Sequence, residues 1–158
     1  MATDRFRHSF RVAAPAAVVY AHLMDPRSYV GLSPLVVAVR DIRAMRDAQG
    51  REVIRYVALE RFRFGPFRWD NPIRVTMIGM TPDRRVVSAV VSPGAVRLRS
   101  TVDLRPSPGG TAVTETVELR SPALLRRFAL GQARSVQRRR AAELARRMRP
   151  GPLRGRPR

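Results

Sequence analysis

Six apolar, β-branched runs follow one another between Pro34 and Ser121, and they limit the possible folds more than any other feature of the chain. Each run ends at a cluster of Gly, Pro, Asp or Ser, and the clusters recur about every 10 to 14 residues, a pattern typical of strands joined by hairpins. The predicted strands cover residues 35–44, 51–64, 71–80, 84–92, 95–105 and 111–120. The sequence therefore predicts a six-stranded antiparallel meander.

A seventh strand and two short helices are predicted before this meander. Residues 5–12 alternate between Phe6, His8, Phe10 and Val12 on one face and Arg or Ser on the other, which indicates a half-buried strand. Proline suits the first position of a helix, so Pro15 predicts a helix over 15–24. A second short helix is predicted over 27–32.

A long helix is predicted after the meander. We expect Ser121 to be its N-cap and Pro122 its first residue, and only Gly131 interrupts the run before Pro150, which gives about seven turns. Because the apolar stripe meets Arg140, the first half of the helix is predicted to pack better than the second. The stripe consists of Leu125, Phe128, Ala129, Gln132, Ala133, Val136, Leu144 and Met148.

The length of 158 residues fits one domain with a core of its own. We expect this domain to cover residues 1–149 and residues 150–158, rich in Pro, Gly and Arg, to form a disordered basic tail. No apolar run reaches the roughly 18 residues of a membrane-spanning helix, and the charged N-terminus does not match a secretory signal. A cytoplasmic location is therefore expected. The chain has no cysteine, which excludes disulfides and thiolate metal sites.

The formal net charge is +19 and comes from 31 arginines without a single lysine. Residues 121–158 hold twelve of these arginines against one acid, Glu143. This arginine-rich end could bind phosphates of an anionic membrane or of nucleic acid without sequence preference. A solvated helix face combined with the codon usage of a GC-rich bacterial genome accounts for the same residues. No base-reading module accompanies them, so sequence-specific nucleic-acid recognition is not expected.

Two segments carry a resemblance to a known family. Residues 10–20, FRVAAPAAVVY, are similar to the opening signature of the START-like superfamily, also called SRPBCC or helix-grip proteins, and residues 109–115, GGTAVTE, are similar to its closing one. The resemblance extends over residues 5–148. It implies an α+β helix-grip fold, in which a curved seven-stranded antiparallel sheet surrounds a long C-terminal helix and two short helices follow the first strand.

The resemblance also implies a function. Members of this superfamily include polyketide cyclases and aromatases, lipid and sterol carriers and quinone-binding proteins, which use a cavity between sheet and helix. We therefore expect binding or carriage of a hydrophobic small molecule such as a lipid, polyketide or quinone, with a polyketide cyclase or aromatase as the alternative. A binding function is favoured over an enzymatic one, and an enzyme would be a cofactor-independent cyclase or dehydratase.

No cofactor or metal is expected. The chain has no phosphate-binding glycine loop, no dinucleotide fingerprint and no nucleophile elbow. Its two histidines, His8 and His22, do not form a metal-ligand cluster at a familiar spacing.

The candidate ligand-binding residues come from strand alternation, from the predicted helices and from the expected position of Trp69 at the cavity mouth. These are Phe6, His8, Phe10, Tyr20, Tyr56, Phe62, Trp69, Asn71, Val75, Met77, Leu98, Glu115, Phe128 and Gln132. A turn role is favoured over ligand binding for Asn71, and Tyr20 could equally be a core residue whose hydroxyl reaches water.

Three of the polar residues are candidates for acid–base catalysis: His8, Glu60 and Glu115. His8 could instead be hydrogen-bonded to a neighbouring strand or partly exposed near a sheet edge. A buried carboxylate must be paired, protonated or used, and for Glu115 an ion pair with an arginine is favoured over catalysis. The same alternatives apply to Glu60. No catalytic residue is therefore assigned.

Overall fold

A computed structural model describes residues 1–150 of the chain as one antiparallel sheet with three helices. Short 3₁₀ turns at Pro26–Ser28 and Ala123–Leu125 precede the second and third helices. In chain order the elements are β1 (Ala2–Val12), α1 (Ala16–Leu23), α2 (Tyr29–Leu32), β2 (Val36–Arg46), β3 (Glu52–Phe64), β4 (Phe67–Thr81), β5 (Arg85–Ser92), β6 (Val96–Ser107), β7 (Gly110–Ser121) and α3 (Arg126–Arg147).

The seven strands lie in the order β1-β7-β6-β5-β4-β3-β2. Strands β2 to β7 pair with their neighbours in the chain, as a meander requires, and β1 pairs with β7 in a register that sets His8 opposite Glu115. The predicted helix-grip fold is confirmed, with the long helix after the last strand and the two short helices after the first.

The hydrophobic core lies at one end of the sheet. Strand β7 alternates throughout: Val113 on its inner face belongs to this core, while Val117 and Leu119 on the same face are buried beyond it. Val19 of α1 and Leu32 of α2 are fully buried against this end. The short helices therefore close one end of the curved sheet and leave the other end open.

Strand β4 begins at Phe67, four residues earlier than predicted. Phe64 pairs with Phe67, so only Gly65 and Pro66 remain for the turn, and Trp69 lies within the strand. Pro72 is tolerated there because the pairing of β4 with β5 starts only at Arg74, and no neighbour needs the missing N–H group.

The start of α3 also differs from the prediction. Ser121 is the last residue of β7, and its buried Oγ has no hydrogen-bond partner within residues 1–150. Pro122 and a 3₁₀ turn follow, so the α-helix begins at Arg126. It has 22 residues, about six turns, instead of the predicted seven turns. Because Pro122 adopts extended backbone angles, it separates strand from helix rather than opening the helix.

The prediction that the first half of α3 packs better is wrong. Ala141, Leu144 and Met148 of the second half are buried, whereas Phe128 of the first half is 51% exposed. The sheet curves away beneath the first half and leaves a space there. Arg140 does not interrupt the packing, because it is paired with an acid on the sheet.

None of the helices within residues 1–150 is long and apolar enough to cross a membrane. The predicted basic tail lies, beyond Pro150, outside the described residues, and both its disorder and the boundary of the domain stay predictions.

Candidate ligand-binding cavity

A cavity of about 330 Å³ lies between the inner face of the sheet and the first half of α3. A sheet curved this strongly cannot lie flat on a helix, so side chains of moderate size leave a space between them. Most of the wall is apolar: Val75, Val90 and Leu98 contribute from the sheet, and Ala133 and Val136 from α3. Such a wall suits an apolar ligand.

The deep end of the cavity is polar and is formed by an ion pair. Oε1 of Glu115 accepts hydrogen bonds from the guanidinium of Arg140 and from Oγ of Ser100, the latter at 2.7 Å. The Glu115 side chain is only 5% exposed, so this pairing compensates a charge that would otherwise be costly to bury. Arg140 also donates to Oγ of Ser33 at 3.4 Å, and Nε2 of Gln137 donates to the backbone oxygen of Glu115 at 3.1 Å.

Both hydrogen bonds of this carboxylate converge on one oxygen. Oε2 of Glu115 accepts no hydrogen bond from residues 1–150, and Glu115 lines the cavity. The ion pair expected for Glu115 is therefore present, and it leaves one acceptor available to a ligand.

Two tyrosines lie beside the ion pair. The rings of Tyr29 and Tyr56 are 6.4 Å apart, and the Tyr29 hydroxyl donates to the backbone oxygen of Leu23 at 2.9 Å. The Tyr56 hydroxyl makes no hydrogen bond within residues 1–150. Burial raises the pKa of Tyr56 and raises that of Tyr29 to about 12, so both hydroxyls keep their protons at neutral pH. Tyr56 thus offers the cavity a free donor.

Glu60 lies toward the mouth of the cavity with a single weak partner. Nδ2 of Asn71 donates to Oε2 of Glu60 at 3.4 Å and to Oγ of Ser92 at 3.1 Å. Burial raises the pKa of the Glu60 carboxyl, and the hydrogen bond from Asn71 offsets this only in part. No arginine within residues 1–150 forms an ion pair with Glu60.

Most of the predicted ligand-binding residues do line this cavity. The structure places there Tyr56, Phe62, Trp69, Asn71, Val75, Leu98, Glu115, Phe128 and Gln132, together with the acid–base candidate Glu60. Their contact with a ligand stays a prediction.

The three candidates on β1 lie outside the cavity, which corrects the prediction for them. Helix α3 packs over β1 and β7, the edge of the sheet, so Phe6, His8 and Phe10 lie beneath the helix. The guanidinium of Arg134 lies 5.6 Å from the ring of Phe6, and the rings of His8 and Phe10 are stacked at 5.8 Å. His8 therefore does not line this cavity.

Tyr20 and Met77 also lie elsewhere. The Tyr20 hydroxyl packs so closely on Gly79 that a methyl group there would come within 2.1 Å of it. Met77 is fully buried in the core behind the cavity. Alternation gave the facing of Met77 correctly, but it could not show that the short helices fill this end of the sheet.

Sequence reasoning missed Arg140, the cation of Glu115. It also missed two other polar residues of the cavity wall, Ser33, which accepts from Arg140, and Tyr29. A signal for Arg140 was present, because it follows Ala133 by seven residues on the apolar stripe, and an inward-facing Glu115 requires a cation. Tyr29 and Ser33 lie around a kink at Gly31, where φ is 80°, and no periodicity reveals the direction of such side chains.

Solved structures share this architecture at low sequence identity. A di-domain ARO/CYC protein, BexL, superposes with a TM-score of 0.70 at 16% identity over 95% of this chain and 51% of BexL, so the chain spans about half of that protein. The aromatase/cyclase Zhui from a Streptomyces species has a TM-score of 0.64 at 17% identity, over 94% of this chain and 97% of Zhui. A START superfamily protein from Mycobacterium smegmatis has a TM-score of 0.68 at 10% identity, over 92% of this chain and 99% of its own. These likenesses establish the fold.

No curated protein sequence matches the chain. Among protein families, however, the profile described as "Polyketide cyclase / dehydrase and lipid transport" matches residues 3–149, nearly the whole of the described structure. With the helix-grip architecture and the cavity between sheet and α3, this match shows that the chain belongs to the polyketide cyclase / dehydrase and lipid transport family.

Proposed function

We propose that this protein binds or carries a hydrophobic small molecule, such as a lipid, a polyketide or a quinone, in the cavity between the sheet and α3. The main support is one observation: an apolar cavity of about 330 Å³ ends in a polar cluster with unused hydrogen-bonding capacity. This volume lies near the lower end of the 300 to 1,000 Å³ that small-molecule sites commonly have. Burial of apolar ligand surface would supply affinity, at about 25 cal/mol per Å².

The polar cluster would orient such a ligand. The Tyr56 hydroxyl can donate to a carbonyl or hydroxyl oxygen, and Oε2 of Glu115 can accept from a hydroxyl. A polar group left unpaired at this depth would cost binding energy, so an entirely apolar ligand should bind less well than one with an oxygen at its inner end.

A second candidate function is that of a cyclase or aromatase without a cofactor, and the same two groups favour it. A free carboxylate oxygen and a protonated phenol beside one cavity could accept and donate protons during ring closure of a poly-ketone chain. Binding is placed first because the ion pair with Arg140 already accounts for Glu115 as a structural group.

Two experiments test these functions, the first for binding and the second for turnover. Native mass spectrometry of gently purified protein, followed by titration with a fluorescent apolar dye and its displacement by fatty acids and quinones, tests binding. No retained mass and no dye binding would contradict the proposal.

If a poly-ketone substrate is turned over, Tyr56→Phe should abolish turnover and leave dye affinity within about twofold. Unchanged turnover in this variant would exclude the acid role of Tyr56.

A further inference from the structure

The hairpin between β3 and β4 extends the cavity wall outward as a row of aromatic residues. Phe64 pairs with Phe67 and Phe62 pairs with Trp69, so all four side chains share the inner face of the hairpin. The ring of Trp69 stacks on Phe62 at 5.2 Å and on Phe64 at 5.0 Å. Phe62 and Trp69 line the cavity, whereas Phe67 lies beyond it and is 73% exposed.

The 3₁₀ turn before α3 and the first turn of α3 add further apolar side chains at the same opening. Leu125 and Phe128 line the cavity beside Trp69, and Leu125 packs on the turn between β5 and β6, where a Cβ on Gly94 would be 3.7 Å from its Cδ1. Leu124, the residue before Leu125, is 95% exposed. We call the exposed apolar residues around the opening the mouth patch: Phe64, Phe67, Trp69, Leu124, Leu125 and Phe128.

Arginines without acidic partners lie next to the mouth patch. Arg63 pairs directly with Arg68 on the outer face of the hairpin, and both are exposed. Arg127, in the first turn of α3 beside Phe128, is exposed as well. None of the three forms an ion pair within residues 1–150, whereas nearby Arg61 is paired with Asp70 at 2.9 Å. Like charges directly opposite each other destabilise a pair of strands, so Arg63 and Arg68 do not serve the stability of the hairpin.

We propose that the mouth patch and the three arginines form a docking surface for an anionic lipid membrane. Aromatic rings and leucines suit the boundary between headgroups and acyl chains, and arginines suit the lipid phosphates around them. The patch comes from separate segments that meet only around the opening, which places the cavity mouth against the lipid. Docking needs no ligand in the cavity and does not depend on the proposed function.

Charge favours a membrane over a second copy of the chain. Two copies that met through this patch would bring two Arg63–Arg68 pairs together, and each chain already carries a formal charge of +19. An anionic surface neutralises these charges instead. The site also differs from the arginine-rich C-terminal end, because Arg63 and Arg68 belong to the sheet.

The test is sedimentation of the full chain with vesicles of phosphatidylcholine alone or of phosphatidylcholine with one quarter phosphatidylserine. The fluorescence of Trp69, the only tryptophan of the chain, reports insertion of the patch. We expect binding to the anionic vesicles, with a blue shift of Trp69 and quenching by brominated acyl chains. The double variant R63Q/R68Q should weaken binding about 25-fold at low salt, since one arginine near such a surface contributes about fivefold.

Two further variants separate the apolar and charged contributions. F67S/L124S changes two exposed residues that do not line the cavity, so it should fold, keep its dye affinity and lose the blue shift. The control R43Q/R55Q removes another exposed, directly opposed arginine pair, at the far end of β3, and should bind vesicles almost as the wild type does.

Several results would overturn the proposal. These are no binding to either vesicle type, equal loss of binding in R43Q/R55Q and R63Q/R68Q, and loss of binding only on removal of residues 150–158. A dimer by light scattering that F67S/L124S dissociates would assign the patch to a second copy, and binding to an acidic protein with none to vesicles would assign it to that protein.

Discussion

Arg140 on α3 and Glu115 on β7 form a buried ion pair, and this pair joins the long helix to the sheet at the deep end of the cavity. Oγ of Ser100 and the amide of Gln137 hold the same glutamate from two sides. The pair therefore has two roles, because it fixes α3 on the sheet and determines which polar atoms a ligand would meet.

Removal of the arginine alone should destabilise the protein strongly. Arg140→Met leaves the Glu115 carboxylate buried without a cation, and we expect the free energy of unfolding to fall by about 3 to 5 kcal/mol. Urea unfolding followed by circular dichroism measures this. The double variant E115L/R140M buries no charge and should recover most of the loss. A change below about 1 kcal/mol in Arg140→Met would show that the pair does not hold the helix.

Replacement of Glu60 should stabilise the protein at neutral pH. Burial raises the pKa of Glu60 above its ordinary 4.5, so the folded state favours the protonated form, and stability is lost as the pH rises through the pKa in the folded protein. Glu60→Gln removes that loss. Thermal unfolding from pH 4 to pH 8 should give the same Tm for wild type and variant at the acid end and a higher Tm for the variant at neutral pH. Parallel curves would contradict this.

The stability that Glu143 contributes should depend on pH in the opposite direction. Hydrogen bonds from Arg146 and then Arg147 lower the pKa of Glu143 to about 2, so its contribution to stability is present above its ordinary 4.5 and is lost as the pH falls toward 2. Glu143→Gln should therefore be less stable than the wild type at pH 7, and the difference should shrink on acidification. The same unfolding series measures it, and a difference that grows toward low pH would reverse the assignment.

Two neighbouring valines of β5 lie on opposite faces of the sheet, and only one of them faces the cavity. Val90 lines the cavity, while Val91 points outward and is 46% exposed. Val90→Trp should fill the space and reduce affinity for an apolar dye at least tenfold, whereas Val91→Trp should leave it unchanged. Fluorescence titration with the dye measures the affinity of both variants. Equal affinities would place the dye site outside the cavity.

Gly131 weakens the part of α3 that lies over the cavity. Apart from the adjacent residues and the backbone of α3 itself, no atom of residues 1–150 lies within 4 Å of the position that a Cβ on Gly131 would take, so an alanine meets no obstacle there. Gly131→Ala should raise the free energy of unfolding by about 0.5 to 1 kcal/mol, because alanine is the better helix former. Chemical denaturation tests this, with Gly110→Ala as the contrast, since its methyl group would lie 1.9 Å from the backbone oxygen of Val12. A destabilised Gly131→Ala would contradict the prediction.

The sequence predicts the strands well because alternation is a local property that burial on one face enforces. Strand β7 alternates over its whole length, and its facing, including that of Glu115, follows from the residues alone. The extension of β4 to Phe67 was missed because Trp69, Asp70, Asn71 and Pro72 resemble a turn locally, while cross-strand stacking on Phe62 and Phe64 holds them in the strand.

The candidate site was only partly predictable, since facing inward and lining the cavity are different properties. Phe6, His8 and Phe10 face inward, but the position of α3 over the sheet edge covers them, and no local pattern determines where a helix crosses a sheet. Arg140 resembles an interruption of the apolar stripe, because the pattern of a single helix does not show which acid on a distant strand will pair with it.

The two halves of α3 are held by different kinds of contact. Ala141, Leu144 and Met148 fix its C-terminal half in the core. The half that carries Gly131 and Phe128 lies over the cavity and is joined to β1 by exposed polar contacts, the ion pair of Arg126 with Asp4 at 2.7 Å and the guanidinium of Arg134 over the ring of Phe6. Opening this half therefore breaks exposed contacts and leaves the core undisturbed, so a ligand wider than the resting opening would enter on this side. The backbone amides of this half should exchange with deuterium faster than those of the C-terminal half.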